Sequence, residues 1–417
     1  MSDNNPRENP ARNCFAQGRD NYSPHVILVT GAAGYIGSNF VNFVLNLTDC
    51  QVKVVAFDRL DYCSRVDNWV PKLAVAPRFT FVRGDLTDTA LLTTLLQEHR
   101  VDTVVHFAAQ THVDNSFTGV SRISPSTPGR HDVERPDKFW DDASFQTQNV
   151  PCTCHVGDRC HLELCRGWGP GQFVIDNVLG TTSLLEACRT WGKIGRFVHI
   201  STDEVYGDRP RRETGSRESD PLHPTNPYAA SKAGAEFVAL SYMASFGIPV
   251  VITRGNNVFG SSSGAHQFPE KIVPKFAMLL LRNLRLPIHG RGDSRRNFIH
   301  VEDTCRAVWV VMERGLAGEA YNIGTDNELT VLEMAGKLVK LVHGQEANPK
   351  DHFDFVADRP YNDCRYHLDS TKLRGLGWEE EQDFEAGLKE TVEWFRRHGG
   401  EFSYDAAKGE FRFRDRV

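Results

Sequence analysis

Three clusters in this sequence hold chemically capable groups at defined spacings. In HISTDEVYGD (His199–Asp208), a hydroxyl and two neighbouring acids, Thr202, Asp203 and Glu204, stand at the end of the apolar run RFVHI. In Tyr228-Ala-Ala-Ser-Lys232, a phenol and an ammonium lie four residues apart, on one face of a helix. In the third, the apolar run VILVT leads into Gly31-Ala-Ala-Gly34-Tyr35-Ile36-Gly37 and then a helical pattern. Glycines at such a turn let the backbone approach a pyrophosphate, which then sits over the helix N-terminus. Asp58 ends the next apolar run, about 20 residues on, where a carboxylate can hydrogen-bond an adenosine ribose and repel a 2′-phosphate. NAD is therefore expected rather than NADP, although Arg59 beside it blurs the preference.

A phenol titrates near 10 and is a poor base at neutral pH; a lysine ammonium and a positive nicotinamide ring beside it would lower that value (about 10 in the free side chain). The pair can then take the proton from an alcohol whose hydride goes to NAD. Such a site needs the Thr202 hydroxyl to orient the oxygen but has no use for Asp203 and Glu204. They make sense if oxidation is the first step only. A ketone at one sugar carbon acidifies the adjacent C–H, so Glu204 can remove that proton as general base. Asp203 can protonate the next hydroxyl, which leaves as water, and the stored hydride then returns. Taken as bare spacings, the acids have a surface turn or helix cap as their lesser reading, and Tyr-x-x-x-Lys is usually a solvated helix face.

The elements that must position these groups follow from the hydrophobic pattern. VILVT, VKVVAF, FTFV, VDTVVHF, RFVHIS and PVVITR read as buried strands, separated by helical stretches such as SNFVNFVLNL, TALLTTLL, TTSLLEACR and SKAGAEFVALSYMA. That alternation indicates α/β architecture: a Rossmann-type, doubly wound parallel sheet, with ligands at the carboxyl ends of its strands. A smaller C-terminal α/β substrate-binding domain is expected to follow. The expected layout is a disordered polar tail over 1–24, an NAD-binding domain over 25–256, a sugar-nucleotide domain over 257–400 partly returning to the first, and a tail over 401–417. A formal charge of −6 gives no general attraction to nucleic acid or anionic membranes. No apolar segment has membrane-spanning length, so a soluble, cytoplasmic protein is expected. Six of the ten cysteines are scattered as free thiols are, and the other four crowd between Cys152 and Cys165.

With these pieces assembled, the sequence resembles the extended short-chain dehydrogenase/reductase family, and within it the nucleoside-diphosphate-glucose 4,6-dehydratases. The resemblance rests on GAAGYIGS, DRLDYCS, HFAAQTHVDNSF, STDEVYG, NPYAASKAGAE, TRGNNVFG, QFPEKIVPKF, RRNFIHVEDTCRAV, YNIGT and DRPYNDCRYHLDSTKLRGLGW. It implies an NAD-dependent hydro-lyase acting on UDP-glucose or dTDP-glucose in rhamnose or deoxysugar nucleotide biosynthesis, and a homodimer pairing through two helices. It assigns Tyr228 to the C4 hydroxyl, Lys232 to the ribose and the phenol, Thr202 to the C4 oxygen, Asp203 to the departing C6 hydroxyl and Glu204 to the C5 proton. Cofactor contacts fall to Gly31, Gly34, Tyr35, Ile36, Gly37, Asp58, Asp85, Leu86 and Ala108 together with Tyr228 and Lys232. Sugar-nucleotide contacts fall to Asn257, Lys271, Arg296, Arg359 and Asn362. No metal is needed, and His106 and His112 read as packing or hydrogen-bonding residues.

The chain departs from its relatives in two places. About 118–171 it carries an irregular excursion, far beyond ordinary loop length, holding Cys152, Cys154, Cys160 and Cys165 with His155 and His161. Its cysteine spacings fit no standard zinc framework, and it reads as disordered rather than as a metal site. After Gly260, SSSGAH replaces a shorter turn. Two other readings stay open. A nucleotide-sugar 4-epimerase would share the cofactor and the Tyr/Lys pair but not need the two acids. A non-catalytic NAD-binding protein would keep its effect when Tyr228 becomes phenylalanine.

Overall fold

The computed structural model describes residues 21–47, 51–69, 76–111, 170–209, 214–261, 267–358 and 363–414. His112, the excursion up to residue 169, most of SSSGAH, Arg359 and Asn362 lie outside them.

Six strands, β1 (Val26–Thr30), β2 (Lys53–Asp58), β3 (Phe79–Arg83), β4 (Thr103–His106), β5 (Arg196–Thr202) and β6 (Val250–Gly255), form on the apolar runs. The later strands are β7 (Asn257–Phe259), β8 (Leu286–His289), β9 (Arg295–His300), β10 (Ala320–Ile323), β11 (Glu328–Thr330), β12 (Phe353–Val356), β13 (Phe402–Asp405) and β14 (Glu410–Phe413). The main sheet runs β10-β6-β5-β4-β1-β2-β3 with every neighbouring pair parallel.

Parallel strands must be covered on both faces, which is why they are apolar throughout rather than alternating. On one face, Phe40, Val41 and Val44 of α1 (Tyr35–Asn46) and Val308, Val311 and Met312 of the later helix Val301–Arg314 pack on Ile27, Val29, Val54 and Val251. On the other, Leu92 and Leu96 of α2 (Thr89–His99), Leu184 and Leu185 of α3 (Gly180–Trp191) and Ala239 of α4 (Pro227–Phe246) cover Leu28, Val55, Val104 and Ile252. α4 has clear local causes. Asn226 caps it by accepting from the Ala229 amide at 2.8 Å, Pro227 opens the first turn, and Gly247 ends it in the left-handed region at φ 73°.

Helix α3 is preceded by an α-helical turn at Pro170–Phe173 and a π-wound stretch at Val174–Leu179. The last two residues assigned to the excursion, 170 and 171, are therefore helical.

The second lobe leaves the sheet after β6. In it β7 lies parallel to β9, β11 antiparallel to β9, and β12 parallel to β8. α5 (Ile272–Leu280), α7 (Val331–His343) and α8 (Phe384–His398) enclose a core of Phe276, Leu280, Leu338, Leu388 and Phe395; α6 is the helix Val301–Arg314 on the main sheet.

The tail expected over 401–417 needs correction, and so do the last residues of the one expected over 1–24, whose residues 1–20 lie outside the described ones. Residues 402–413 fold as an antiparallel hairpin, β13 with β14, in register Phe402↔Phe413 and Tyr404↔Phe411. Period-2 alternation puts these four rings on one face, and burying Phe402 and Phe411 against the second lobe supplies the reason to fold. At the other end, Tyr22 is fastened: its hydroxyl lies 2.8 Å from Thr103 Oγ1 and donates to the Asp102 carbonyl at 3.1 Å.

Candidate active site

The turn between β1 and α1 is built so that only glycine fits. A Cβ on Gly31, at φ 67°, would sit 2.6 Å from the Ala108 nitrogen, and one on Gly37 would sit 2.2 Å from the Gly31 carbonyl oxygen. Strand, turn and helix N-terminus thus open on a cleft of about 260 Å³ at the carboxyl ends of the strands. Gly31, Gly34, Tyr35, Ile36, Gly37, Asp58, Asp85, Leu86, Ala108, Tyr228, Lys232 and Lys271 all line it.

At one end of the cleft, Asp58 accepts from the Ala33 amide at 3.0 Å and the Leu60 amide at 2.7 Å. Burial raises its carboxyl above the usual range, and these bonds pull it back. Arg59, which blurred the cofactor preference, is already engaged: it donates to Asp176 at 2.7 Å and Asp61 at 2.7 Å, with Asp85 at 3.7 Å.

The acids stand just beyond Ser201 and Tyr228 of the cleft's lining and do not themselves line it; Asp203 borders a small separate pocket with Tyr206 and Gly207. Thr202 is the last residue of β5; its hydroxyl donates to Asp203 Oδ1 at 3.1 Å and accepts from the Glu204 amide at 3.3 Å, capping the short turn Asp203–Tyr206. Asp203 is only 4% exposed and takes a second bond from Asn256 Nδ2 at 2.9 Å. Burial, reinforced by the Glu204 carboxylate, pushes its carboxyl up to about 7. Glu204 accepts from Asn226 Nδ2 at 3.0 Å. Burial raises it too, but Asn226, Arg296 and Lys271 oppose the rise. Two adjacent carboxyls in unlike surroundings are thus separated in proton affinity, with Asp203 the one that keeps its proton near neutrality.

Tyr228 and Lys232 are both buried on α4. Lys232 Nζ donates to the Ile200 carbonyl at 2.6 Å, and burial lowers it to about 8. The expected lowering of the phenol belongs to lysine and a nicotinamide ring together; the protein groups that act on it are these. Burial raises the Tyr228 phenol and the Glu204 carboxylate raises it further, with only the Thr202 hydrogen bond acting the other way. Desolvation disfavours a phenolate more than neutral partners can repay.

Of the sugar-nucleotide residues, Lys271 reaches the Thr111 carbonyl at 2.8 Å, and the Arg296 guanidinium lies 4.7 Å above the Tyr366 ring. Asn257 is exposed, with a 3.5 Å contact to the Asn297 carbonyl. Its neighbour Asn256 is the one that touches the acids, a residue the sequence reading passed over. Asn226 was also passed over, yet Asn before Pro at a helix start is a readable cap signal. Asn177, on the π-wound stretch, accepts from the Gln110 amide at 2.7 Å and donates to Ser231 Oγ at 2.8 Å, joining one cleft wall to α4. His106 is a buried hydrogen-bonding residue, 2.7 Å from Thr30 Oγ1 and 2.9 Å from Thr181 Oγ1, and burial lowers it to about 3.

Known proteins share this arrangement. A family model described as GDP-mannose 4,6 dehydratase matches residues 28–124 and 168–391. A trifunctional UDP-glucose 4,6-dehydratase/UDP-4-keto-6-deoxy-D-glucose 3,5-epimerase/UDP-4-keto-L-rhamnose-reductase of Arabidopsis thaliana is 40% identical over 379 residues, covering 90% of this chain and 48% of that protein. The chain thus spans about half the length of that relative. A dTDP-D-glucose 4,6-dehydratase of Mus musculus is 37% identical over 375 residues, 89% of each. Among solved structures, a dTDP-glucose 4,6-dehydratase from Streptomyces venezuelae with NAD and TYD bound matches with a TM-score of 0.72 at 35% identity, covering 90% of this chain and 98% of that one.

Proposed function

The chain belongs to the nucleotide-sugar 4,6-dehydratases of the extended short-chain dehydrogenase/reductase family, and from that membership we propose that it converts UDP-glucose or dTDP-glucose to the 4-keto-6-deoxy sugar nucleotide and water, using NAD. The observation that carries this reading is the adjacent acid pair: Asp203 buried, with its carboxyl pushed up to about 7, and Glu204 beside it, both acting electrostatically on Tyr228.

The residues present suit the cofactor. Gly31 and Gly37 leave no room for a side chain where the backbone must approach a pyrophosphate, and Asp58 stands on the cleft where a ribose diol would lie. A dinucleotide held by Gly31, Gly37 and Asp58 would supply the acceptor for the C4 hydride and the source of its return at C6. The chain's own groups do the rest. Tyr228, as the phenolate that the Lys232 ammonium favours, takes the proton of the C4 hydroxyl and becomes the phenol, with Thr202 orienting that oxygen. Glu204 removes the C5 proton once C4 is a ketone and, after exchange with solvent, gives a proton back to C5 when hydride arrives at C6. Asp203 passes its proton to the C6 hydroxyl, which departs as water. An acid held near 7 can donate in this way and still be recharged from solvent. Lys271 and Arg296 supply positive charge near Glu204 for the sugar nucleotide; Asn257, Arg359 and Asn362 are assigned to the same ligand by resemblance.

The deciding experiment offers purified protein NAD and, separately, UDP-glucose and dTDP-glucose in heavy water. A keto-deoxy product carrying deuterium at C5 is expected from at least one. Exchange-free conversion to the galacto sugar would make it an epimerase, and no turnover with either would sink the dehydratase reading.

Because Arg59 is held by Asp176 and Asp61, it is not expected to serve a 2′-phosphate, which Asp58 repels by about 2 kcal/mol. Calorimetric titration should show NAD bound about 30-fold tighter than NADP. Arg59→Ala should not weaken NADP further; a selective loss of NADP affinity would show that the arginine does meet the phosphate.

A homodimer fits the surface of the two packed helices that precede and carry the Tyr/Lys pair. Val174, Leu179 and Phe237 stand 55%, 44% and 61% exposed there, apolar area of the kind a second copy would cover. Phe237→Glu is expected to turn a dimer into a monomer by light scattering; an unchanged mass would place the interface elsewhere. No described helix is long and apolar enough to cross a membrane. Cys63, Cys188, Cys305 and Cys364 are free thiols, which supports the cytoplasmic location proposed here.

A further inference from the structure

The family match ends at residue 391, yet the hairpin of β13 and β14 beyond it is tied into both walls of the cleft. One wall is the loop after β2, which contributes Arg59, Asp61, Tyr62, Cys63 and Ser64; the other is the segment ahead of α5, which contributes Gln267, Phe268, Glu270 and Lys271. The walls touch directly. The Tyr62 hydroxyl donates to Glu270 Oε2 at 2.6 Å, and the Tyr62 ring meets Phe268 edge-on with centroids 5.6 Å apart.

The hairpin grips each wall from outside. Phe413 stands 5.1 Å and Phe402 6.2 Å from the Phe268 ring, so Phe268 is packed from behind while its other side borders the cleft. The Arg65 guanidinium lies 4.3 Å above Phe413 and pairs with Glu401 at 3.1 Å. One end of the hairpin thus holds Arg65 on the first wall and Phe268 on the second. Cation–π and ring-edge contacts of this kind have directional preferences, so they fix position as well as add burial.

We propose that this C-terminal hairpin is a clamp that keeps the two walls together over a bound dinucleotide, with Arg65 and Phe268 as positioning residues for cofactor retention. The inference rests on the NAD reading of the cleft. A reaction that leaves its cofactor unchanged gains from slow release, since each lost molecule must be rebound before the next turnover. A contact that shuts a cleft acts mainly on the dissociation rate, because it must break before the ligand leaves.

The test follows loss of radiolabelled NAD from loaded protein after dilution into excess unlabelled NAD. Arg65→Ala and Phe413→Ala should each release it about tenfold faster than the unaltered chain. Arg65→Lys, which keeps a cation over the ring, should restore most of the retention. Glu401→Gln removes a half-exposed partner and spares the core; it should quicken release several-fold while leaving the melting temperature unchanged, which a purely structural role would not do. Release at the unaltered rate from Arg65→Ala and Glu401→Gln would overturn the clamp even if Phe413→Ala failed to fold. If the unaltered chain itself retains no NAD, the cofactor reading falls and the clamp with it; retention by the parent and all variants alike removes the clamp alone.

Discussion

Glu204→Gln should lower formation of the keto-deoxy product by about a thousandfold and stop deuterium uptake at C5, with binding of NAD and sugar nucleotide unchanged. Glutamine is nearly isosteric, and its carbonyl oxygen can still accept from Asn226 Nδ2, which now bonds Glu204 at 3.0 Å. Tyr228, Thr202 and Lys232 keep their places, so the groups serving C4 are spared. What disappears is the base for the C5 proton. Proton magnetic resonance of the sugar in heavy water reads that step, and equilibrium dialysis reads binding. A Glu204→Gln protein that still incorporates deuterium at C5 would show that another group takes the proton, and the acid pair would lose its assigned division of work.

Asp203→Asn should inactivate the enzyme to a similar degree and, unlike most active-site changes, stabilise it in mild alkali. Burial and the Glu204 carboxylate hold the folded-state Asp203 carboxyl up to about 7, whereas in the unfolded chain it titrates near its ordinary value of about 4. The folded protein therefore keeps a proton that the unfolded chain has given up. Stability from this residue is fully present in acid below that ordinary value and is lost as pH rises through about 7. Asparagine carries no charge to bury; its one carbonyl oxygen can accept from Asn256 while its amide nitrogen donates to the Thr202 hydroxyl. At pH 8 the variant should gain on the order of 2 kcal/mol, a rise of several degrees in melting temperature that shrinks towards zero near pH 4. In the unaltered enzyme the same ionisation should lower turnover as pH climbs past about 7, because the ionised acid has no proton to give. Melting curves at both pH values check the first claim, and a pH–rate profile the second. A variant no more stable at pH 8 than its parent would mean that Asp203 is charged and well solvated.

The parallel sheet was legible because buried strands leave continuous apolar runs, and the cofactor turn because close backbone approach demands glycine at Gly31 and Gly37. The acids, the phenol and the ammonium were legible because their chemistry is rare at the ends of such strands and helices. What escaped were residues whose work is done for others. Asn256 and Asn226 each hold one carboxylate, and nothing in an asparagine beside another asparagine or before a proline says which acid it will meet. Asn177 depends on a π-wound stretch that carries no periodic signal. The hairpin was taken for a tail because FSYD and EFRF are short, and only the second lobe gives their rings a face to cover. The rise that burial gives the Tyr228 phenol was not legible either, because burial is a property of the whole packed site rather than of the Tyr-to-Lys spacing.

The return of β10 to the edge of the main sheet has a mechanical consequence. Gly255 of β6 pairs with Ile323 of β10, and the Asn256 amide donates to the Ile323 carbonyl at 3.1 Å, so the chain leaves the sheet for the second lobe at two neighbouring points, once after β6 and again after β10. It crosses back through α6 and again at Leu373 and Trp378, which pack in the main-sheet core. Asn256, one residue beyond the sheet at the first exit, lies 2.9 Å from Asp203. With repeated crossings and a shared backbone bond beside it, the proton donor sits where the second lobe has the least freedom to shift against the sheet.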